Sequence, residues 1–252
     1  MANNLQTQEY SKGGYVCMNK IKVTDLKVGY LGTTALQNAC FQVNKGNMIG
    51  IIGPNGAGKS TLVKAMLGLV KYSGKISMDD NNTNDYKLTY MKQNSDYDLS
   101  FPITVKDVVM LGLYPSIGIF RFPQKKHRLL VDQALDSVEM KAFANRQISA
   151  LSGGQWQRVL MARILVQNAD IIFLDEPFAG VDVDSESKII SILQQLKALG
   201  KTIFIVHHDL KTVEKYFDEI ILINKTVVAY GKTPDIFTDD NLKETYMRGG
   251  GL

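Results

Sequence analysis

Eight consecutive residues, Gly53-Pro54-Asn55-Gly56-Ala57-Gly58-Lys59-Ser60, constrain this chain more than any others. They fit the pattern G-x-x-x-x-G-K-[ST], and with glycine at about 7% of residues a chance match in a chain this long is roughly one in a hundred. The pattern asks for one local fold. Its glycines let backbone N–H groups face a polyphosphate at the positive end of a helix, the lysine brings charge to the outer phosphates, and the serine hydroxyl reaches Mg²⁺. The flanks supply the elements: residues 48–52 read as a compact apolar strand, and Thr61 leads into the helix-like run 62–67. A glycine-rich turn with an exposed lysine is the plain alternative, and it needs neither strand nor helix.

A second constellation follows later in the chain. The apolar run 171–174 ends in Asp175-Glu176, where an open α/β sheet places its ligand crevice. Asp175 suits Mg²⁺ held through water, leaving Glu176 to polarise an attacking water; an acidic helix cap is the structural alternative. Upstream, Leu151-Ser152-Gly153-Gly154-Gln155 opens a helix through Gln167. Its small residues leave backbone amides and the Ser152 hydroxyl free to face an anion, although an ordinary serine cap would look similar.

The rest of the sequence fixes the organisation. A length of 252 residues allows one large domain or two small ones. With 45% apolar and 21% charged residues, the chain is expected to be soluble and globular rather than disordered or fibrous. No run approaches the roughly 18 apolar residues of a membrane span, and residues 1–20 lack the apolar centre of a signal peptide. Cys17 and Cys40 have no metal-site spacing and are too few for a disulfide framework. A net charge of +4 favours anionic ligands or headgroups without implying nucleic acid.

Residues 1–20 are expected to be a flexible tail or extension and 241–252 a C-terminal tail, with a single domain over 21–240. Short alternating strands between 21 and 43 suggest an antiparallel β region. A helical insertion is expected at about 94–160. There, Thr104 to Asp107 reads as a capping box for a helix through Leu113, and a helix over 128–141 would turn Leu130, Ala134 and Val138 to one face. Beyond it, 171–174 and 202–206 read as parallel strands covered on both faces. The helix between them carries Ile189, Ile192, Leu193 and Leu196 and stops at Gly200, and a final hairpin over 219–230 turns at Asn224-Lys225. The fold class expected is α/β with a mostly parallel core sheet.

Taken together, residues 53–60, 151–155 and 171–176 resemble the ATP-binding subunit of an ABC transporter, a P-loop NTPase, and the similarity runs from about 21 to 230. The resemblance implies further roles. Tyr30 would stack on adenine; Gln93 would touch Mg²⁺ together with Ser60 and Asp175 and couple to membrane subunits; His208 would contact the γ-phosphate. Residues 53–61 would cradle ATP in one subunit, with Lys59, Gln93, Glu176 and His208 serving hydrolysis. Ser152, Gly153, Gly154 and Gln155 would complete the ATP site of a second, head-to-tail copy. Asp182, in Ala179-Gly180-Val181-Asp182, would communicate between the two copies, although this loop lacks the commoner serine. His207 beside His208 raises a metal pair as an alternative, but adjacent strand residues diverge. Soluble ABC-type ATPases acting on nucleic acid form the competing class. Against it, only 93 positions separate Lys59 from Ser152, leaving no room for a long coiled coil, and the chain has one phosphate loop.

Residues 98–105, 178–182 and 206–210 are similar to the versions found in bacterial importers of manganese, zinc or iron, with manganese favoured. That likeness implies a place on the cytoplasmic face of the membrane and an indirect link to an extracytoplasmic metal-binding protein. A permease would dock on residues 93–122, where Phe101, Ile103, Leu113, Tyr114, Ile117, Ile119 and Phe120 exceed what one core face requires.

Overall fold

The computed structural model describes residues 20–30, 33–78, 86–93, 97–118 and 120–247; the tail expected over 1–20, apart from Lys20, lies outside the described residues, as do Ile119 and 248–252. Strands β1 (Lys20–Tyr30) and β2 (Thr33–Asn44) alternate buried apolar with exposed residues and pair antiparallel. After β3 (Met48–Ile52) and α1 (Lys59–Met66), strand β4 (Ser73–Ser77) joins the other edge of β1, giving the sheet order β2-β1-β4. This is the antiparallel region that the alternation suggests, with longer strands and an additional member.

Strand β5 (Leu88–Met91) is followed by a helical stretch: α2 (Val105–Leu111), α3 (Tyr114–Ile117), α4 (Lys125–Ser137) and α5 (Gly153–Gln167). Three local expectations need correction. The Thr104 hydroxyl donates to the Asp107 carboxylate rather than accepting from a backbone amide, so α2 begins without a side-chain cap. Helix α4 starts earlier than the apolar spacing suggests, because Gln124 and His127 form a capping box among the basic residues. Its inward face is Val131, Ala134 and Leu135, continuing to Val138, while Leu130 is exposed. Of the residues read as surplus apolar surface, Leu113 and Ile117 are buried and Ile103 is half-buried; Phe101, Tyr114 and Phe120 remain exposed, and Phe122, not singled out by sequence, is exposed beside them.

The chain then returns to the main sheet with β6 (Ile171–Asp175), α6 (Val183–Ala198), β7 (Thr202–His207), α7 (Val213–Tyr216), β8 (Glu219–Asn224) and β9 (Thr226–Lys232). Sheet order is β5-β6-β7-β3-β8-β9, parallel except at the β8–β9 hairpin. Helix α6 ends as Gly200 and Lys201 donate backbone bonds to the Lys197 and Leu196 carbonyls. Short α8 (Thr233–Ile236) and α9 (Asp239–Met247) close the described chain, so most of the segment read as a tail from 241 is helical; Thr245 is fully buried and its carbonyl accepts from Asn224 Nδ2.

The parallel strands are apolar throughout because each face has its own core. From β3, Met48 and Ile52 join a cluster with α5 and α6, whereas Ile49 and Ile51 join one with β1, β2 and α1. The sheet is thereby immobilised between two layers, and the C-terminal ends of β3, β6 and β7 deliver the phosphate loop, Asp175-Glu176 and His207-His208 to one edge.

Candidate functional site

Backbone geometry makes the loop after β3. A Cβ at Gly53 would stand 2.0 Å from the Ile223 carbonyl oxygen; Gly58 has φ +94°, and its Cβ would meet the Ala35 carbonyl at 2.8 Å. Only glycine satisfies both approaches. The Lys225 amide donates to the Ala57 carbonyl at 2.8 Å, so the last hairpin braces the loop from behind. Lys59 is buried, with Nζ donating to the Gly53 and Pro54 carbonyls at 2.8 and 2.9 Å. Burial pushes its pKa down, opposed by the carboxylates of Glu176 and Asp175.

Glu176 lies at the end of β6 with φ +52°, a left-handed conformation uncommon for such a residue. This backbone holds the side chain over the loop, where Oε2 accepts from Gln93 Nε2 at 2.8 Å and Oε1 lies 3.8 Å from His208 Nδ1. Asp175 is buried just behind, with the Tyr90 hydroxyl donating to Oδ2 at 3.3 Å. Glu176, Gln93, His208 and the loop residues Asn55, Gly56, Ala57, Gly58, Lys59, Ser60 and Thr61 line one cavity of about 700 Å³. Residues spread over more than 150 positions converge there. Gly53 and Pro54 contribute through the carbonyls that hold Lys59.

Two residues of this neighbourhood are not singled out by sequence. Ala35 lines the cavity from β2, and alanine carries no chemical signal. Tyr90 could have been noticed as the polar tip of a strand three residues before Gln93. Tyr30 pairs with Thr33 where β1 leads into β2, at the connected end of the hairpin, and is 42% exposed; it is near Ala35 in register but does not line the cavity.

Ser152 and its neighbours occupy a different corner. Ser152 Oγ accepts from the Gln155 amide at 3.3 Å while Gln155 Oε1 accepts from the Ser152 amide at 3.0 Å, a reciprocal capping box that starts α5. The Ser152 hydroxyl is therefore engaged as an acceptor and keeps its hydrogen to donate. Gly153 and Gly154 leave room for the adjoining loop: a Cβ at Gly154 would lie 2.6 Å from Ser185 Oγ and 3.1 Å from Asp182 Oδ2. Asp182 caps α6 through the Ser185 amide at 2.9 Å, and that bond lowers its carboxyl pKa. None of Ser152, Gly153, Gly154, Gln155 or Asp182 lines the Lys59 cavity of its own chain.

The cavity suits a nucleoside triphosphate. It has a glycine cradle at the N-terminus of α1, a buried cation and a facing carboxylate. Ser60, Gln93 and Asp175 are all oxygen donors, the set a hard divalent cation such as Mg²⁺ prefers. Among the described residues no group of three or more His, Cys, Asp or Glu could hold a further metal ion, and no helix is long and apolar enough to cross a membrane.

A sequence family described as ABC transporter matches residues 36–179. The manganese transport system ATP-binding protein MntB of Halalkalibacterium halodurans is 47% identical over 229 residues, covering 90% of this chain and 92% of its own length. The zinc transport system ATP-binding protein TroB of Treponema pallidum is 43% identical, covering 90% and 86% respectively. Among solved structures, the dimeric ATP-binding cassette MJ0796 bound to ADP and Pi superimposes with a TM-score of 0.72 at 27% identity, over 84% of this chain and 98% of that one.

Proposed function

The chain belongs to the ABC transporter family and is an ATP-binding ATPase subunit, and from that premise we propose that it powers a bacterial importer of a divalent transition metal, manganese first. The observation that carries the chemistry is the convergence of Lys59, Gln93, Glu176 and His208 on one glycine-cradled cavity. The metal class rests on the manganese and zinc relatives at 47% and 43% identity over nine-tenths of the chain. Nucleic-acid ATPases, the competing class, gain no support from these relatives.

Asn55 to Thr61 bind the phosphates and Lys59 neutralises the outer charge. Ser60, Gln93 and Asp175 would hold Mg²⁺, which supplies charge stabilisation to the phosphates. Glu176 takes a proton from the attacking water; Gln93 fixes one carboxylate oxygen, leaving the other toward His208, which contacts the γ-phosphate. Two copies pair head to tail, so that Ser152 to Gln155 of one complete the ATP site of the other and Asp182 lies between them. The segment Ser152 to Gln155 does not line the cavity of its own chain, and the Ser152 hydroxyl keeps a hydrogen to donate, as sharing requires. Loss of the γ-phosphate on hydrolysis then loosens the pair and converts chemistry into motion. Tyr30, exposed at the hairpin end, stacks on the adenine.

Exposed Phe101, Tyr114, Phe120 and Phe122 receive the permease at the cytoplasmic face of the membrane, close in sequence to Gln93, and an extracytoplasmic protein delivers the metal. Radioactive manganese uptake tests this reading: cells lacking the gene should lose uptake, regain it with the wild-type chain, and fail to regain it with Glu176→Gln. Uptake of manganese unaffected by the deletion, with zinc uptake lost, would move the substrate to zinc.

A further inference from the structure

Beside His208 stands a histidine to which the proposed chemistry gives no task. His207 closes β7 and is 4% exposed; contrary to the divergence expected of adjacent strand residues, its ring centroid lies 6.1 Å from that of His208, which is already past the strand end. Its ring sits in an aromatic cage: Phe178 at 5.6 Å and 87°, Phe217 at 5.4 Å and 65°, and Tyr216 at 6.3 Å. Packing alone would be served by phenylalanine. What phenylalanine could not supply is the 2.8 Å hydrogen bond between His207 Nε2 and Thr212 Oγ1.

That bond reaches into the turn that carries His208. Asp209 and Thr212 close the turn on themselves: the Lys211 amide donates to Asp209 Oδ1 at 3.0 Å, and the Thr212 hydroxyl donates toward the Asp209 carbonyl and Oδ2 at 3.2 and 3.3 Å. With its single hydrogen committed there, the Thr212 oxygen accepts from His207 Nε2–H. The other side of the ring meets Phe178, two residues beyond Glu176. One buried ring therefore ties together the two segments that present Glu176 and His208 to the cavity.

We infer that His207 is a positioning residue for ATP hydrolysis, holding the 208–212 turn through Thr212 and registering it against the Glu176 loop through Phe178. The inference rests on the reading of His208 as the γ-phosphate contact. His207 does not line the Lys59 cavity, so its loss should act on turnover far more than on ATP binding, because a small misplacement of an oriented group costs mainly the chemical step.

Steady-state ATPase kinetics of the full chain test this with five variants. His207→Phe keeps the cage filled and removes the bond; kcat should fall about tenfold while KM for ATP stays within about twofold and the melting temperature does not drop. His207→Gln keeps a hydrogen-bonding group within reach of Thr212 and should restore most of kcat. Thr212→Val should match His207→Phe, and the double variant should be no slower than either. His208→Ala should lose at least as much as His207→Phe. Wild-type kcat in His207→Phe alongside a crippled His208→Ala overturns the inference and spares the reading of His208. Equal losses in His207→Gln and His207→Phe, or additive losses in the double variant, also overturn it, since the bond to Thr212 would then not account for the loss. Normal turnover by His208→Ala removes both.

Discussion

Glu176 combines a proposed catalytic carboxylate with a left-handed backbone, and substitutions can separate the two. Glu176→Gln preserves the length of the side chain, and its carbonyl oxygen can still accept from Gln93 Nε2, so no donor is stranded. The backbone cost is the same for both residues. Stability should stay within about 0.5 kcal/mol, while hydrolysis falls by ~10² to 10⁴, a rise in barrier of roughly 2.7 to 5.4 kcal/mol. Alanine and glycine then probe the backbone. At an ordinary position alanine is the more stable by about 0.5 to 1 kcal/mol, because glycine loses more freedom on folding. At φ +52° a Cβ costs roughly 1 to 2 kcal/mol, so the order should invert, with Glu176→Gly more stable than Glu176→Ala by up to about 1.5 kcal/mol. For a chain of this size each kcal/mol is about 2 to 4 °C in melting temperature. Phosphate release and thermal unfolding measured on the wild type and the three variants give both answers. Hydrolysis by Glu176→Gln within tenfold of wild type would refute the general-base role, and a more stable alanine variant would refute the strained backbone.

The remaining expectations concern assembly, base recognition, acidity and docking. Mixing Ser152→Arg with Lys59→Ala chains leaves one intact composite ATP site per mixed dimer, so light scattering should detect ATP-dependent pairing in the mixture and in neither variant alone; pairing by both variants alone defeats the shared-site arrangement. Tyr30→Ala should weaken ATP about threefold to tenfold and Tyr30→Trp should not, given roughly 0.5 to 1.5 kcal/mol for aromatic contact; equilibrium titration with a fluorescent ATP analogue reads this, and equal affinity in both variants relegates Tyr30 to the surface. Desolvation holds the His207 pKa below 6.5, with His208 acting in the same sense and Asp209 and Glu186 opposing. The unfolded chain therefore binds the proton more readily, and stability should be fully present above pH 6.5 and fall as pH drops below it; chemical denaturation across that range should lose this component in His207→Gln. Phe101→Asp with Phe120→Asp should spare ATP binding yet abolish copurification with the permease, and retained copurification moves the docking surface elsewhere.

Much of this architecture was legible because the decisive signals are local. The loop 53–60 and the run ending in Asp175-Glu176 each combine a strand with the chemistry at its end, so parallel strands and a shared edge followed from sequence. Residues whose roles depend on distant partners were not readable in the same way. Ala35 lines the cavity only because β2 crosses the loop, and Leu130 and Val131 exchange places as core and surface because α4 takes its phase from packing on α5. The left-handed Glu176 and the cage around His207 arise from contacts between β6, β7 and α7 that no spacing records. Helix α9 is hidden from the sequence for a similar reason: its sequence is polar, and Asn224 and a buried Thr245 tie it down.

The two carbonyls that hold Lys59 have a consequence for how the site meets its ligand. An ammonium has three N–H donors, and the Gly53 and Pro54 carbonyls occupy two of them. One donor and the full positive charge are left for phosphate. The lysine does not have to find its place from a mobile ensemble, and its long side chain surrenders its rotamer freedom during folding rather than during capture. Reorganisation energy at this position is thus small, and the electrostatic attraction is spent on the incoming charge instead of on arranging the receptor.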